Sequence, residues 1–197
     1  LEIKLLEAAA RKRRWLVEIV EERVLAGQKV VIFTGRIKDC ETLGKAFEKK
    51  YSKRDIPVWW GHGGINTSVR HDMVQAYAAH DRAGIFVGTT DAFGEAYDGF
   101  QHTDLAIQAL LPWSPGKIEQ AEGRFHRQGG ASRNTLVIYP ICEGTVDEYI
   151  ADLQLEKLET ISRALGHVEA QKIADTLAGA DDEEAIVLGV LSKMEGS

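Results

Sequence analysis

Lys29-Val30-Val31-Ile32-Phe33, which leads into Thr34-Gly35, is the stretch that decides the fold of this chain. A short apolar run that ends in polar turn residues is typical of a strand buried on both faces, as in a parallel sheet. Four further apolar runs follow it, at residues 57–60, 84–88, 105–110 and 135–139. Helical patterns lie between several of these runs. Such alternation predicts an α/β fold, in which helices cover both faces of a parallel sheet joined by right-handed crossovers.

Apolar residues at helical spacing predict the helices that flank the sheet. The first spans residues 1–26, and Asp39 is expected to cap a second that runs to about residue 51. Asn66 or Thr67 opens a third, which runs through residue 79. The apolar stripe of this third helix consists of residues at spacing four: Val69, Met73 and Tyr77.

The last third of the chain is predicted to be helical. Thr145 begins a Thr-Val-Asp-Glu capping-box pattern, from which a helix is expected to run to about residue 165, with weaker helices beyond it. We therefore predict three parts: an N-terminal helix over 1–27, an α/β lobe over 28–144 and a C-terminal helical extension over 145–197. The chain starts at Leu1, and we read it as a piece of a longer polypeptide.

Composition and charge limit the kinds of function. The net charge is −6, which argues against a basic protein that wraps nucleic acid, so any contact with DNA must come from a local patch. Residues 11–14 form one basic cluster, which is either a solvated helix face or such a patch. Cys40 and Cys142 lack metal-ligand spacing and are expected to be buried apolar residues without a disulfide. The sequence contains no run of eighteen apolar residues, so no membrane span is predicted.

The sequence contains no complete nucleotide site. No G-x-x-x-x-G-K-[ST] loop is present, and no Asp-Glu pair follows a buried strand where a magnesium-holding acid is expected. The six histidines show no credible metal-ligand spacing. A self-sufficient nucleotidase is therefore not predicted.

The stretch Gln120-Ala-Glu-Gly-Arg124-Phe-His126-Arg127-Gln-Gly129 carries the strongest chemical signal. Arg124 and Arg127 share one face of a short predicted helix, and Gln120 reaches the same side. A planar, permanently charged guanidinium suits the charge of a transferring γ-phosphoryl group. The alternative is a surface helix whose arginines form salt bridges.

This stretch resembles motif VI of SWI/SNF-type, superfamily-two DNA-dependent ATPases. Further blocks of that family occur in order over roughly residues 28–150: motif IV at 30–34, a glycine–arginine–helix block at 61–77, motif V at 89–98 and a PWNP-like block at 111–115. Three positions depart from the family pattern. Gly130 replaces the glutamine that closes motif VI, Ala96 replaces a glycine of the motif V turn, and Phe93 stands where a small residue is common.

The resemblance implies the C-terminal, RecA-like lobe of a two-lobed motor, whose other lobe supplies the phosphate loop, the magnesium acid and the catalytic base. Arg127 would be the arginine finger and Arg124 its partner, while Gln120 senses the nucleotide. Gly94, Glu95 and Asp98 would bind the nucleotide and couple its site to DNA. The DNA backbone would be contacted by four residues near strand ends: Thr34, Arg36, Thr89 and Thr90.

The resemblance further implies ATP and Mg²⁺ as cofactors of the intact enzyme, with none bound by this lobe alone. Its partners would be the first RecA-like lobe of the same polypeptide and duplex DNA. The expected location is intracellular, in a prokaryote, a phage-infected cell or a nucleus. Two alternatives remain open: a degenerate lobe that only docks DNA or protein, and an unrelated α/β domain such as a sugar-nucleotide transferase lobe, for which 61–64 is the only phosphate-binding candidate.

Overall fold

A computed structural model describes residues 2–93, 97–110, 125, 135–145, 147–152 and 155, with side chains from residue 10 onward. The chain divides into two compact units, Leu1–Asp152 and Leu153–Ser197, and only Leu155 of the second is described. The first unit includes the helices α1 (Glu2–Leu25), α2 (Ile37–Tyr51), α3 (Thr67–Ala79) and α4 (Thr90–Phe93). It also includes the strands β1 (Lys29–Thr34), β2 (Val58–Gly61), β3 (Gly84–Thr89), β4 (Leu105–Gln108) and β5 (Leu136–Ile138).

The described strands form one sheet in the order β2-β3-β1-β4-β5, and every neighbouring pair is parallel. This confirms the predicted α/β fold, with a parallel sheet of five strands and an N-terminal helix. All five predicted strands are present, although β4 ends at Gln108, two residues earlier than expected. Within the described ranges, no helix is long and apolar enough to cross a membrane. The predicted helical extension beyond residue 155 lies outside the described residues.

Two hydrophobic clusters cover the two faces of the sheet. Successive residues of β1 alternate between them, because neighbouring side chains of a strand point to opposite faces. Val30 and Ile32 pack with the apolar residues of α1 and α2. Val31 and Phe33 pack with those of α3 and α4. The central strand therefore has no solvent-facing side, as the apolar run at 29–33 predicted.

Two details of the helices differ from the prediction. Asp39 is not the N-cap of α2, because the helix begins at Ile37 and Arg36, in extended conformation, occupies the cap position. Asp39 lies in the first turn instead, where the helix dipole stabilises a carboxylate. Asn66 does cap α3, since its side chain accepts a hydrogen bond from the Ser68 amide. Val69, however, is 43% exposed. The buried residues of α3 are Val74 and Tyr77.

The predicted cap at Thr145 is confirmed. Its Oγ1 accepts a hydrogen bond from the Asp147 amide at 3.2 Å, at the start of a helical segment over 147–152. Glu148 Oε2 accepts from the Gly144 amide at 2.8 Å rather than from the amide of the cap residue itself. Lys12 of α1 pairs with Asp147 at 2.8 Å, which ties the basic stretch at 11–14 to this helix start.

A buried lysine joins the start of β1 to the end of α3. Lys29 is only 2% exposed, and its Nζ donates to the carbonyls of Tyr77 (2.6 Å) and His80 (2.8 Å). It also lies 4.3 Å from the centroid of the Tyr77 ring. The last carbonyls of a helix lack partners within the helix and carry partial negative charge, so an ammonium group is well placed there.

We expect Lys29→Met to lower the free energy of unfolding by about 2–4 kcal/mol, because it keeps the apolar stem but leaves buried carbonyls without their charged donor. Urea unfolding of the purified chain measures this. The matched control is Lys45→Met, since the Lys45 side chain is 62% exposed and makes only surface contacts among those described, an ion pair with Glu41 and an approach of 5.5 Å to the Trp60 ring centroid. Equal effects of the two substitutions would contradict the role assigned to Lys29.

Candidate functional site

The carboxyl ends of β1 and β3 bring two predicted DNA-contact residues together. Thr34 and Thr89 are the last residues of these strands and are register partners. Both are buried, with exposures of 2% and 6%. The Thr34 hydroxyl lies within hydrogen-bond distance of the Arg36 carbonyl (3.2 Å) and the Gly88 carbonyl (3.4 Å). Its one proton is therefore used within the protein.

The other two predicted DNA-contact residues lie at the same edge and are more accessible. Thr90 opens α4, is half-buried and donates from Oγ1 to the Thr34 carbonyl at 3.3 Å. Arg36 is exposed, and its carbonyl accepts from the Cys40 amide at 3.1 Å. The main chain of Arg36 is thus fixed by α2 while its guanidinium faces solvent. Of the four residues, Arg36 is the one whose charge is available to a phosphate.

Most of the nucleotide residues predicted from motifs V and VI lie outside the described residues. These are Gly94, Glu95, Gln120, Arg124 and Arg127. Asp98 is described and exposed, and its carbonyl accepts from Gln75 Nε2 at 3.3 Å. Phe125, inside motif VI, is 3% exposed, and its ring centroid lies 6.4 Å from that of Phe33. One residue of motif VI is therefore packed against the end of β1.

Arg70 contacts α4 beside the candidate site, and the sequence indicated it only as part of the glycine–arginine–helix block. Its Nη1 donates to the Ala92 carbonyl at 2.9 Å, and its Nη2 donates to Thr67 Oγ1 at 3.1 Å. The guanidinium also lies 5.9 Å from the Phe93 ring centroid and 5.8 Å from that of Tyr97. It thereby holds the end of α4 and the residue that follows the motif V turn. The block containing Gly61 and Arg70 was the available signal, but spacing could not show which carbonyl the arginine binds.

Phe93 stands where the family commonly has a small residue, and two glycines make room for its ring. Phe93 is fully buried and packs edge-on against Phe86, with ring centroids 5.0 Å apart. Gly61 and Gly88 are register partners on adjacent strands beneath it. A Cβ atom added to Gly88 would lie 2.7 Å from Phe93 Cδ2, and one added to Gly61 would lie 3.1 Å from Phe93 Cζ. The large ring in motif V therefore depends on two positions that lack side chains.

Cys40 is structural rather than reactive. Its thiol is fully buried and donates to the Gly61 carbonyl, with an Sγ···O distance of 3.1 Å. Burial raises the pKa of the Cys40 thiol to about 11, so it stays protonated at neutral pH. Both cysteines are free, and Cys142 is only half-buried, contrary to the expected burial of both. Among the side chains that the structure describes, no three metal-ligating groups converge.

The parallel sheet, the strand-end threonines and the motif VI phenylalanine packed on β1 are the features expected of the C-terminal, RecA-like lobe of a superfamily-two helicase. Residues 11–129 match the helicase conserved C-terminal domain family. The chain therefore belongs to that family, and the resemblance to SWI/SNF-type members is confirmed.

Curated relatives agree with this assignment. The chain is 26% identical over 161 residues to a "SWI/SNF-related matrix-associated actin-dependent regulator of chromatin subfamily A-like protein 1" from Xenopus tropicalis, which covers 79% of this chain and 16% of the relative. It is 27% identical to the "RNA polymerase-associated protein RapA" of Vibrio parahaemolyticus, over 70% of this chain and 13% of that protein. The chain thus spans a small part of the length of these relatives.

Solved structures share the fold. The C-terminal part of the Fun30 ATPase domain superposes with a TM-score of 0.61 at 20% identity, over 72% of this chain and 44% of that one. Domain 2 of the DEAD-box helicase Mss116p, bound to an RNA duplex, gives a TM-score of 0.54 at 19% identity, over 74% of this chain and 53% of that one.

We expect Gly88→Ala to destabilise the chain by about 1–3 kcal/mol, because the new methyl group overlaps the Phe93 ring. The loss should be markedly smaller when Phe93 is also alanine, since the obstructing ring is then absent. Urea unfolding of the two single variants and the double variant gives the coupling between the positions. Gly63→Ala is the control, because a Cβ atom added at Gly63 would have nothing within 4 Å. Additive effects would rule out the proposed packing.

Proposed function

We propose that this lobe is the second motor lobe of an ATP-dependent translocase on duplex DNA, and that it hydrolyses no ATP without the first lobe. The observation that supports the proposal is the position of Phe125, the one residue of motif VI that the structure describes. Phe125, between Arg124 and Arg127 in sequence, packs on Phe33 at the carboxyl end of β1. In open α/β sheets ligands bind outside the carboxyl ends of the strands.

Arg127 is the proposed arginine finger and Arg124 its partner. A guanidinium that reaches the γ-phosphoryl group stabilises the charge that develops as the bond to the leaving phosphate breaks. The sequence has no phosphate loop of its own, so the first lobe would hold ATP and Mg²⁺. Gln120, Gly94, Glu95 and Asp98 would contact the nucleotide from this side. The arginines then complete the site only when the lobes close, which makes hydrolysis dependent on closure.

The DNA backbone would run past the carboxyl ends of β1 and β3. Arg36 supplies an exposed charge there, and Thr90 a half-buried hydroxyl. Thr34 and Thr89 are buried, so we propose that their first role is to stabilise this edge of the sheet and that direct contact with a phosphate is secondary. Contacts of this kind position a duplex without reading its sequence. We propose duplex DNA rather than RNA because the sequence of motif VI is of the SWI/SNF type.

We expect Arg127→Ala in the full-length parent protein to lower the DNA-stimulated ATPase rate by about 10³-fold while ATP still binds, because the finger acts mainly in the transition state. Steady-state ATPase assays with and without duplex DNA measure this, and a fluorescent ATP analogue reports binding. The control is Arg82→Ala, since Arg82 lies before β3 at the opposite edge of the sheet and forms an exposed pair with Asp55. Normal turnover by Arg127→Ala would favour the degenerate docking lobe instead.

We expect Arg36→Ala to weaken binding of the parent protein to duplex DNA and to reduce the slope of log K against log salt by about 1, because one phosphate contact is lost. Fluorescence anisotropy at several salt concentrations measures the slope. Arg82→Ala again serves as the control and should leave it unchanged. If the slope of Arg36→Ala equals that of the wild type, DNA does not pass this residue. A matched RNA duplex that binds more tightly would instead reassign the nucleic acid.

A further inference from the structure

The first half of α1 carries three exposed arginines, Arg11, Arg13 and Arg14, which together form the α1 patch. Among the described residues none of the three forms an ion pair, and Arg14 does not pair even with Glu18, one helical turn away. The fourth cation of this stretch, Lys12, is turned inward and pairs with Asp147. The α1 patch is therefore a concentration of unpaired positive charge in a chain whose net charge is −6.

The direction of the chain places the α1 patch towards the carboxyl edge of the sheet. α1 ends at Leu25 and β1 begins at Lys29 after a turn at Gly27, so the last turn of α1 lies at the amino end of β1. Leu16 and Val24 both pack in the hydrophobic cluster on one face of the sheet, so the helix runs back across that face. The 24 residues of α1 span about 36 Å, whereas the six residues of β1 span about 20 Å. The first half of α1 therefore reaches the level of the carboxyl end of β1.

The contacts of Lys12 support this placement. Asp147, its partner, also accepts a hydrogen bond from the Cys142 amide at 3.3 Å, and Cys142 lies four residues after β5 ends at Ile138. Burial raises the pKa of the Cys142 thiol, and the nearby charges of Lys12 and Arg11 oppose that rise. The basic stretch of α1 is thus close to a segment that has just left the carboxyl end of a strand.

Arg36 lies at the same end of the lobe. α2 follows the carboxyl end of β1 and precedes β2, so it crosses the same face in the same direction as α1. Glu21 of α1 pairs with Lys50 of α2 at 2.7 Å, which joins the two helices near their ends. At about 1.5 Å per residue, Ile37 lies about 20 Å back from this pair and Arg14 about 10 Å back from it. The α1 patch therefore lies within about 10 Å of the level at which α2 begins.

The chemistry of the α1 patch suits a phosphate backbone. A guanidinium stays charged at physiological pH and offers a planar set of donors that fits phosphate oxygens. Duplex DNA carries one negative charge per about 1.7 Å of its axis, so a duplex that passes Arg36 also presents phosphates to the neighbouring helix. A protein partner would be expected to bury an apolar or aromatic anchor at the centre of its interface. Between residues 10 and 20, however, no large apolar side chain is exposed.

We propose that Arg11, Arg13 and Arg14 extend the DNA-binding surface of this lobe by contacting the phosphate backbone of the same duplex that passes Arg36. The inference rests on the proposed function, because that duplex is the one on which the motor acts. The α1 patch takes no part in hydrolysis. Its contacts lengthen the footprint of the lobe on DNA and raise affinity without reading sequence.

The test replaces all three arginines with glutamine in the full-length parent protein and leaves Lys12 in place. Fluorescence anisotropy with duplex DNA should give a slope of log K against log salt that is smaller by about 2–3, because phosphate contacts are lost. At 0.1 M salt the Kd should rise by about 10²-fold, which is the effect of a slope change of about 2 between 1 M and 0.1 M salt. The Tm should stay within about 2 °C of the wild type, since the three side chains are exposed.

The matched control carries Lys49→Gln, Lys53→Gln and Arg54→Gln together. These three cations are also exposed, but they lie at or just after the end of α2, at the opposite edge of the sheet. The change in net charge is the same, so this variant should keep the slope of the wild type. A further variant with lysine at all three positions of the α1 patch retains the charge, and it should bind DNA nearly as tightly as the wild type.

Each outcome decides the matter. A smaller slope for the glutamine variant, with an unchanged slope for the control, supports the proposal. An unchanged slope for the glutamine variant overturns it, and so does an equal loss in the control, which would mean that only net charge matters. A loss as large with lysine as with glutamine also overturns it, because charge is then not what the three positions supply.

Titration to saturation separates a shared duplex from a second one. Both the wild type and the glutamine variant should bind one duplex per molecule, and a second duplex that only the wild type binds would overturn the shared path. If Arg36→Ala also leaves the salt slope unchanged, the proposed DNA path itself has failed. If only the glutamine variant of the α1 patch does so, the extension has failed while the proposed function stands.

Discussion

The central strands β1 and β3 are buried on both faces along their whole length, and the rest of the structure depends on this constraint. An unpaired polar group is unfavourable within either buried strand, so the polar side chains lie where the strands end. The parallel register places Thr34 and Thr89 at the same level, and α2 and α4 begin within three residues of them. One edge of the sheet thereby receives two helix starts, a buried pair of hydroxyls and an exposed arginine. The opposite edge receives the buried ammonium of Lys29.

The sequence predicted the strands well because burial on both faces produces an apolar run that local patterns reveal. It predicted helix details less well. Asp39 is the better capping residue by type, yet the extended backbone of Arg36 starts α2 two residues before it. The stripe through Val69 was misjudged because the sheet covers only the later turns of α3, where Val74 and Tyr77 are buried. The four-residue helix α4 is too short for any periodicity to show.

From the sequence, the candidate site could be predicted only as a group of residues that lie at the carboxyl ends of strands. Position along the chain indicated that Thr34, Arg36, Thr89 and Thr90 would meet, and all four lie at one edge. The burial of the two strand-end hydroxyls depends on pairing between strands that are distant in sequence. The bond from Arg70 to the Ala92 carbonyl spans 22 residues, so no local pattern could reveal it. The roles of the motif V and motif VI residues remain predictions.

Helix α3 is held by a cation at each end. Lys29 binds the carbonyls at its last turn, and Arg70, in its first turn, binds the carbonyl of Ala92 at the end of α4. A helix of 13 residues is about 20 Å long and bends little over that length. It therefore forms a rigid connection between the two edges of the sheet. A displacement of the end of α4 would therefore be transmitted along α3 to the opposite edge of the sheet, where Lys29 binds its last carbonyls.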